Sequence, residues 1–377
     1  MAVYKIFPSQ DATLYSAYIN QNTGLDEILE ATTNFITGST RIDGAAPQTS
    51  RFLIKFSDTD IAYVTSSLAT GDFQANLKLF IANSSGLKTD TVVLANAVSG
   101  NWDMGTGRYL DSPETQNGVS WKWINYSGSI AWPSSGAFEP GTTGSYSGSN
   151  EGGGAWWTGS EASQTFGYWS DLDLNFSVTD IVKQWTASIA NPSNGWPNHG
   201  FIVRQTQSQE FIDNINQQVN LKYYSRDTHT IYPPTLEFKW DDFSYNTGSL
   251  TVLNTLPATL TLAENPGTFF SESINKFYIN ARPEYPIRVW QTASYYTNNF
   301  ALPTASYYAI KDLDTDEYII DFDTTYTKLS CDASGSYFTL YMNGLEPERN
   351  YKVLIQTTIN GSTVVYDDDY YFKVVNG

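Results

Sequence analysis

The chain has 377 residues and a formal net charge of −18, and a surface this acidic repels phosphate backbones, which argues against nucleic-acid binding. We expect no membrane span, because no apolar run approaches ~18–20 residues. We expect no cleaved secretory signal, because the start of the chain is strand-like. We expect no intrachain disulfide, because Cys331 is the sole cysteine. The 26 Tyr and 11 Trp residues favour pleated strands over helices, since flat side chains suit a half-buried sheet surface.

The first 240 residues predict a jelly-roll-like β-sandwich with one short helix. Apolar and polar residues alternate in segment 51–56 and again in segment 76–81. In the last strand of this region, 233–240, one face carries Leu236, Phe238 and Trp240, and the other carries Thr235, Glu237 and Lys239. This alternation predicts strands that bury one face against a second sheet.

Between about residues 100 and 167 the sequence changes to glycine, serine and tryptophan. Its extreme is segment 141–154, which has no apolar periodicity. We therefore expect a long loop that runs over the sandwich and is held down by its own Trp side chains.

One helix is predicted after this loop. Four apolar residues recur at i, i+3, i+4 and i+7, so they share a helical face that we assign to the core: Val178, Ile181, Val182 and Trp185. Ser177 or Thr179 is the expected N-cap, and the strong breakers of segment 191–195 end the helix.

A domain boundary is predicted after residue 240, where acidic and turn-forming residues follow the last strand. We expect connector strands over 241–276 and a compact second β domain over 277–377. The clearest local signal in this domain is Asn360-Gly361, the favoured two-residue hairpin turn, between the alternating runs 351–359 and 362–366.

Several polar motifs are better explained as turns or strand ends than as catalytic or metal-binding sites. His199 and His229, the sole histidines, lie in turn-like sequence without partners at metal spacing, so a hydrolytic triad has no support. Segment 312–316 begins like a calcium loop, but Glu317 stands where that loop needs glycine, which favours an acidic turn between two strands. We interpret segment 367–369 as a solvated strand end. We therefore predict no catalytic residue, no metal site and no cofactor.

Four clustered aromatic residues are the candidate ligand or interface site: Trp156, Trp157, Tyr168 and Trp169. Flat rings near acids, here Glu151 and Asp171, can orient a sugar. The alternative is a Trp-anchored loop that covers a sheet face. A glycosidase needs two facing carboxylates, and with 39 acidic residues the sequence neither supports nor opposes such a pair.

A series of short motifs runs through residues 5–240: 7–12, 22–24, 28–31, 51–56, 75–80, Trp102 with Gly105 and Gly107, 118–121, 179–185, 198–204, 224–227 and 234–240. Their order resembles the DNRLRE-type domains, carbohydrate-binding-module-like β-sandwiches of surface and virion proteins. Ser57-Asp58 departs from the usual sequence after the 51–56 strand, and segment 141–154 is longer than in that family. The resemblance implies a sandwich without a shared catalytic set.

Tyr351, preceded by Leu345-Glu346-Pro347, is similar to the corner tyrosine of immunoglobulin- and fibronectin-like sandwiches. Segments 306–312, 327–330 and 337–338 together resemble accessory domains in virion proteins of tailed, T4-like marine bacteriophages. This resemblance implies an immunoglobulin- or fibronectin-like C-terminal domain and a virion protein made in the bacterial host cytoplasm.

The expected function is that of a non-enzymatic virion structural protein of a tailed bacteriophage, in the neck, tail or head exterior. Its expected partners are other virion proteins and copies of itself, with no nucleic acid and no membrane. The alternative is a glycan-binding adhesin that attaches to a host surface glycan. A polysaccharide-degrading enzyme is a third possibility, and it would need two carboxylates roughly 5–10 Å apart in a groove.

Overall fold

The computed structural model describes residues 2–34, 48–69, 71–134, 137–144, 152–210, 218–263, 265–285 and 298–377. The chain is all-β, as predicted, because strands dominate it and its helices are few and short. It divides into two compact units. The N-terminal unit comprises Ile6–Leu68 and Gln74–Glu237, and the C-terminal unit comprises Met1–Lys5, Ala69–Phe73 and Phe238–Gly377.

The strands up to residue 240 are short, and turns or loops join most of them. In chain order they are β1 (Ala2–Ile6), β2 (Pro8–Tyr15), β3 (Ile28–Asn34), β4 (Gln48–Phe56), β5 (Phe73–Leu79), β6 (Ile81–Ser85), β7 (Thr91–Val98), β8 (Trp123–Asn125), β9 (Ile130–Ala131), β10 (Thr142–Thr143), β11 (Trp156–Phe166), β12 (Leu174–Ser177), β13 (Phe201–Gln205), β14 (Asn220–Tyr224) and β15 (Thr235–Trp240). The predicted strand 76–81 is therefore divided between β5 and β6.

The largest sheet has the order β10-β11-β7-β13-β4-β3-β14-β6, and β2 also pairs with β4. A second sheet has the order β1-β15-β5-β12. The central pairings of the large sheet are antiparallel, and Ile202 of β13 lies opposite Leu53 of β4 on one side and Asn96 of β7 on the other. This register places side chains that are far apart in sequence next to one another.

The predicted helix is α2 (Thr179–Ala190), and its apolar face is buried as expected. The predicted N-cap is wrong, because Val178 holds the cap position and its apolar side chain forms no capping bond. The Thr179 hydroxyl instead accepts the N–H of Ala75 in β5 (3.0 Å). Two further helices, α1 (Asp58–Tyr63) and α3 (Gln207–Glu210), were not predicted, and a π-helical turn (Val64–Leu68) follows α1. Within the described ranges, no helix is long and apolar enough to cross a membrane.

The centre of the large sheet is buried on both faces. Along β4, Phe52, Ile54 and Phe56 point to one face while Arg51 and Leu53 point to the other, and all five are fully buried. The first face is covered in part by α2, whose Trp185 packs on a neighbouring Phe ring of β13 at 4.5 Å between ring centroids. Burial on both faces explains the uninterrupted apolar run 52–54 within β4.

The second face of the large sheet is covered by the segment between β7 and the start of β11. Its buried Trp side chains, which we call the Trp layer, are Trp102, Trp121, Trp132 and Trp156. They pack on Leu14, Leu53 and Ile202 from three strands of the sheet. The prediction that Trp residues hold this loop down is confirmed, while residues 145–151 of the glycine-rich stretch lie outside the described residues.

One buried amide, that of Asn22, joins three backbone groups of the segment that carries the Trp layer, in addition to the backbone–backbone bonds there. Asn22 Nδ2 donates to the carbonyls of Met104 (2.7 Å) and Val119 (2.8 Å), and its Oδ1 accepts the N–H of Gly107 (2.7 Å). A Cβ at Gly107 would lie 2.4 Å from the Asn22 carbonyl oxygen, so only glycine permits this approach.

The C-terminal unit is a β-sandwich of two sheets. Its strands are β16 (Ala258–Ala263), β17 (Thr268–Phe270), β18 (Ile274–Pro283), β19 (Ser306–Asp312), β20 (Tyr318–Ile320), β21 (Ser330–Asp332), β22 (Gly335–Tyr341), β23 (Asn350–Ile359) and β24 (Ser362–Val375), with a 3-10 turn (Met342–Gly344) after β22. One sheet has the order β16-β18-β22-β21 and the other β17-β24-β23-β19-β20. Segment 241–276, predicted as connector strands, thus contains β16 and β17, which belong to these two sheets.

The core between these sheets consists of interlocked rings. Tyr308 of β19 stacks on Phe338 of β22 with centroids 4.3 Å apart, and Phe277 of β18 contacts Phe372 of β24 at 5.7 Å. The corner tyrosine is also present, since Tyr351 is buried and its hydroxyl donates to the Glu346 carbonyl (3.0 Å).

The predicted hairpin at Asn360-Gly361 is confirmed, with φ of 50° and 79° at the two turn residues, and so is the acidic turn between β19 and β20. The interpretation of 367–369 as a strand end is wrong, because these residues lie inside β24. The β23–β24 register shifts there, and Lys352 forms ion pairs with Asp367 and Asp369. The acids therefore occupy a β-bulge.

Candidate functional site

The structure separates the four predicted site residues into three environments. Trp156 and Trp157 are adjacent in β11, so their side chains point to opposite faces. Trp156 is buried in the Trp layer, whereas Trp157 is half-buried and stacks on Trp196 with centroids 5.4 Å apart and planes 7° from parallel. Glu151, which was expected beside these rings, lies outside the described residues.

Tyr168 and Trp169 occupy the turn between β11 and β12 and form an exposed ring pair. Their side chains are 70% and 92% exposed, and the rings meet edge to face at 4.7 Å. The turn is closed by two hydrogen bonds, from the Gly167 N–H to the Ser170 hydroxyl (2.9 Å) and from the Ser170 N–H to the Gly167 carbonyl (3.1 Å). We call this feature the Tyr168–Trp169 pair.

A buried ion pair lies between the large sheet and the Trp layer. Arg51 donates from Nε and Nη2 to the two carboxylate oxygens of Glu210, at 2.8 and 2.7 Å, and both side chains are fully buried. A third bond runs from Nη1 to the Gly153 carbonyl (2.5 Å). The guanidinium also lies 5.3 and 5.4 Å from the ring centroids of Trp121 and Trp156. These contacts compensate the cost of removing both charges from water.

A pocket of about 430 Å³ opens beside the Trp layer in the N-terminal unit, and we call it the Arg204 pocket. Its polar walls come mainly from the large sheet, and the residues used below are Asn96, Trp156, Ser160, Glu161, Arg204 and Gln207. Most of the lining side chains are hydroxyls, amides or charged groups, so the pocket differs from an apolar ligand cavity.

Arg204 is the central group of this pocket and is only 7% exposed. Its Nη2 donates to Asn96 Oδ1 (3.1 Å) and Glu161 Oε2 (3.3 Å), and its guanidinium lies 4.4 Å from the Trp156 ring centroid. Asn96 Nδ2 also donates to Glu161 Oε2 (3.2 Å). Burial, followed by the positive charge of Arg51, lowers the pKa of Arg204 to about 10, so the side chain remains charged at neutral pH.

The Arg204 pocket presents one carboxylate, Glu161, among the described lining residues. Glu210 is fully buried and both of its oxygens are bound by Arg51, so it offers no accessible partner acid. A glycosidase reaction needs two carboxyl groups that reach the substrate. Among the described lining residues, most groups that can reach a ligand are hydrogen-bonding side chains.

The two histidines lie away from this pocket. Burial, together with the charge of Lys55, lowers the pKa of His199 to about 4, and the His199 carbonyl accepts the indole N–H of Trp102 (2.8 Å). His199 thus supports the Trp layer through its backbone. His229 is exposed, with Nε2 3.6 Å from Glu27 Oε1.

The N-terminal unit also contains a buried carboxyl group, that of Asp11. Asp11 is only 1% exposed and accepts the N–H of Arg226 (2.7 Å). Burial raises the pKa of Asp11 to about 7, against the lowering effect of that hydrogen bond, and the nearby carboxylate of Asp227 adds to the rise. Burial likewise raises the pKa of Asp26 to about 6.

Sequence reasoning missed Arg51, Arg204 and Glu210, which organise this region. A signal was available for the two arginines, because each adjoins an apolar run, 52–54 or 201–203, at a position that a two-faced sheet must bury. Glu210 lies in the short helix α3, which has no apolar periodicity to reveal it.

Comparisons with known proteins identify no relative. No protein-family model matches the chain, and no curated protein matches it. Among solved structures, a β-glucuronidase from Parabacteroides merdae aligns with a TM-score of 0.16 and 11% identity over 96% of this chain and 36% of that chain. The same enzyme with glycerol in its active site gives 0.15 and 10% over 96% and 35%. The chain thus spans about a third of that enzyme's length, and similarity this low carries no argument about fold or activity.

Proposed function

We propose that this chain is a non-enzymatic structural protein of a tailed-bacteriophage virion that acts through protein–protein contacts. The sequence resemblances described above suggest this role, and the all-β architecture is compatible with it. The single observation that carries the proposal is the Tyr168–Trp169 pair.

The Tyr168–Trp169 pair has the features of an interface anchor. Trp169 is 92% exposed, although burial of a Trp side chain is strongly favourable. The hydrogen bonds of its turn hold the backbone in place, so burying the rings in a partner would cost little conformational entropy. Large aromatic residues of this kind supply much of the binding energy of protein interfaces.

The first test is the protein content of purified virions. If the proposal is correct, mass spectrometry of particles of the phage that encodes this chain detects it in a fixed ratio to the major capsid protein. Its absence from purified particles would reject the virion assignment. A cryo-EM map of the same particles would then give its position and symmetry.

The second test asks whether the pair makes the contact. In particles grown from a phage that carries Trp169→Ala, we expect incorporation of the chain to fall at least about tenfold, the loss that corresponds to ~1.4 kcal/mol. Tyr285→Ala is the matched control, because Tyr285 is an exposed aromatic residue (78%) of the C-terminal unit. Equal incorporation of both variants would show that the Tyr168–Trp169 pair is not the anchor.

Attachment to a host surface glycan is the second candidate function, and the same pair favours it because an exposed indole face can stack on a sugar ring. A glycan array separates the two functions. Binding of the wild-type chain that is lost in Trp169→Ala would favour the adhesin. Normal virion incorporation of Trp169→Ala together with that loss would reject the structural anchor.

A further inference from the structure

We propose that the Arg204 pocket binds a neutral, hydroxyl-rich ligand, such as a single sugar or polyol unit. The site is separate from the Tyr168–Trp169 pair and does not depend on the virion assignment. The inference rests on the hydrogen-bonding inventory, the charge balance and the fixed geometry of the pocket.

The pocket retains unused donors and acceptors. Within the part of the chain that the structure describes, Glu161 Oε1 and the side chains of Ser160 and Gln207 form no hydrogen bond with protein. Glu161 Oε1 can only accept, a serine hydroxyl can do both, and the glutamine amide supplies an N–H as well as an oxygen. A ligand that uses the acceptor of Glu161 and also the donors of Ser160 and Gln207 must carry groups that both donate and accept. Hydroxyl groups meet this requirement.

The charges of the pocket oppose an ionic ligand. Arg204 and Glu161 are the charged lining groups among the described residues, and they form an ion pair at 3.3 Å, so their formal charges cancel. A phosphate or carboxylate would face the Glu161 carboxylate, and an ammonium group would face the guanidinium of Arg204. A neutral ligand encounters neither repulsion.

The ion pair of the pocket and the Asn96 amide are held in place before a ligand arrives. Arg204 is held by Asn96, by Glu161 and by the ring of Trp156, and Glu161 lies opposite Asn96 in the β11–β7 pairing. Groups on paired strands lose little freedom on binding, which favours affinity. The volume of about 430 Å³ lies within the ~300–1,000 Å³ typical of small-molecule sites.

Saturation-transfer-difference NMR with the full chain tests the proposal, using a panel of neutral monosaccharides and glycerol against glucuronate, glucosamine and inorganic phosphate. We expect saturation transfer to at least one neutral sugar or polyol, and none of comparable strength to the charged probes. Saturation transfer to no neutral member of the panel would overturn the proposal, and so would stronger binding of a charged probe.

Two variants locate the binding. Ser160→Phe fills the pocket from an accessible position, and Glu161→Gln removes the charge while retaining the shape, so each should weaken binding about tenfold or more. Ser163→Phe is the matched control, because Ser163 is an exposed residue of the same strand that does not line the pocket, and it should bind like wild type. Unchanged affinity in both pocket variants would overturn the proposal.

The outcome is independent of the proposed function. Failure of the NMR experiment leaves the Tyr168–Trp169 pair and the virion test untouched. Sugar binding that is lost in Trp169→Ala but kept in Ser160→Phe would reject the Arg204 pocket and support the adhesin.

Discussion

In the C-terminal unit two sheets meet through stacked rings such as Tyr308 and Phe338, whereas in the N-terminal unit a sheet is covered on one face by a Trp-rich loop with a buried ion pair beneath it. A strand ladder satisfies its own backbone, so the first arrangement needs few buried polar side chains. The covering loop has, in its described residues, only short pairings such as β8–β9, so its other buried N–H and C=O groups need scattered backbone partners or side chains.

In the N-terminal unit, side chains supply some of those partners beside the backbone–backbone bonds. Asn22 binds the backbone at Met104, Gly107 and Val119, and Arg51 binds the Gly153 carbonyl. Stability in this unit therefore depends on a few polar residues whose loss leaves buried groups unsatisfied. In the C-terminal unit the same dependence should be weaker, and the following variants test this difference.

The largest effect is expected for Glu210→Ala. It leaves the buried Arg51 charge without its partner, which typically costs about 3–5 kcal/mol in the free energy of unfolding. Urea unfolding followed by Trp fluorescence measures this loss. The double variant Arg51→Met with Glu210→Leu should recover part of it, because both charges are then absent. A loss below ~1 kcal/mol in the single variant would contradict the comparison.

The next effect is a pH dependence of the N-terminal unit. Because the folded-state pKa of Asp11 is raised to about 7, the folded protein binds the proton more tightly than the unfolded chain does. Stability from this group is therefore present at low pH and is lost as the pH rises from about 4 to 7, at up to ~1.4 kcal/mol per pH unit. Asp26 acts in the same direction.

Unfolding free energies of Asp11→Asn across this pH range check the assignment. The variant should show a flatter profile than wild type, because the amide does not titrate. Asp171→Asn, at an exposed position, is the control and should keep the wild-type slope. A rise in wild-type stability between pH 4 and 7 that Asp11→Asn abolishes would contradict the sign.

A smaller effect is expected for Tyr351→Phe in the C-terminal unit. The change removes the hydroxyl that donates to the Glu346 carbonyl and should cost about 0.5–1.5 kcal/mol, since the ring still fills the core. Tyr371→Phe is the control, because Tyr371 is exposed and its hydroxyl bonds to Asp369 at the surface. A loss above ~3 kcal/mol for Tyr351→Phe would mean that this unit also depends on single polar bonds.

The smallest effect is expected for Glu348→Gln. Glu348 forms an ion pair with Lys373 in which both side chains are substantially exposed, and such pairs contribute about 0–1 kcal/mol. The difference from wild type should shrink further in 1 M salt, where charges are screened. An effect as large as that of Glu210→Ala would remove the distinction between buried and exposed pairs.

Local patterns predicted local structure in this chain. The Asn360-Gly361 turn, the apolar face of α2 and the burial of the Trp layer follow from residues that are close in sequence or strongly apolar. The Arg204 pocket depends instead on long-range register, which places Glu161 opposite Asn96 and brings β13 to the other side of β7. The pairing of distant strands cannot be deduced from one sequence, so the Arg204 pocket was not predicted.

The Tyr168–Trp169 pair and the Trp156–Trp157 pair show the same limit. Neighbours in a turn can stay together, as Tyr168 and Trp169 do, but neighbours in a strand are sent to opposite faces. The four aromatic residues were predicted as one cluster because the strand boundary between them was not recognised.

The attachment of the Trp-rich loop to the N-terminal unit depends on the side-chain amide of Asn22. Hydrolysis of that side chain to a carboxylate would place an oxygen where the Met104 and Val119 carbonyls now receive an N–H. Two acceptors would then face a negative charge in a fully buried position, which would weaken the attachment of the covering chain without any change in the sheet itself. Loss of this one amide should therefore loosen the cover before it affects the sheet.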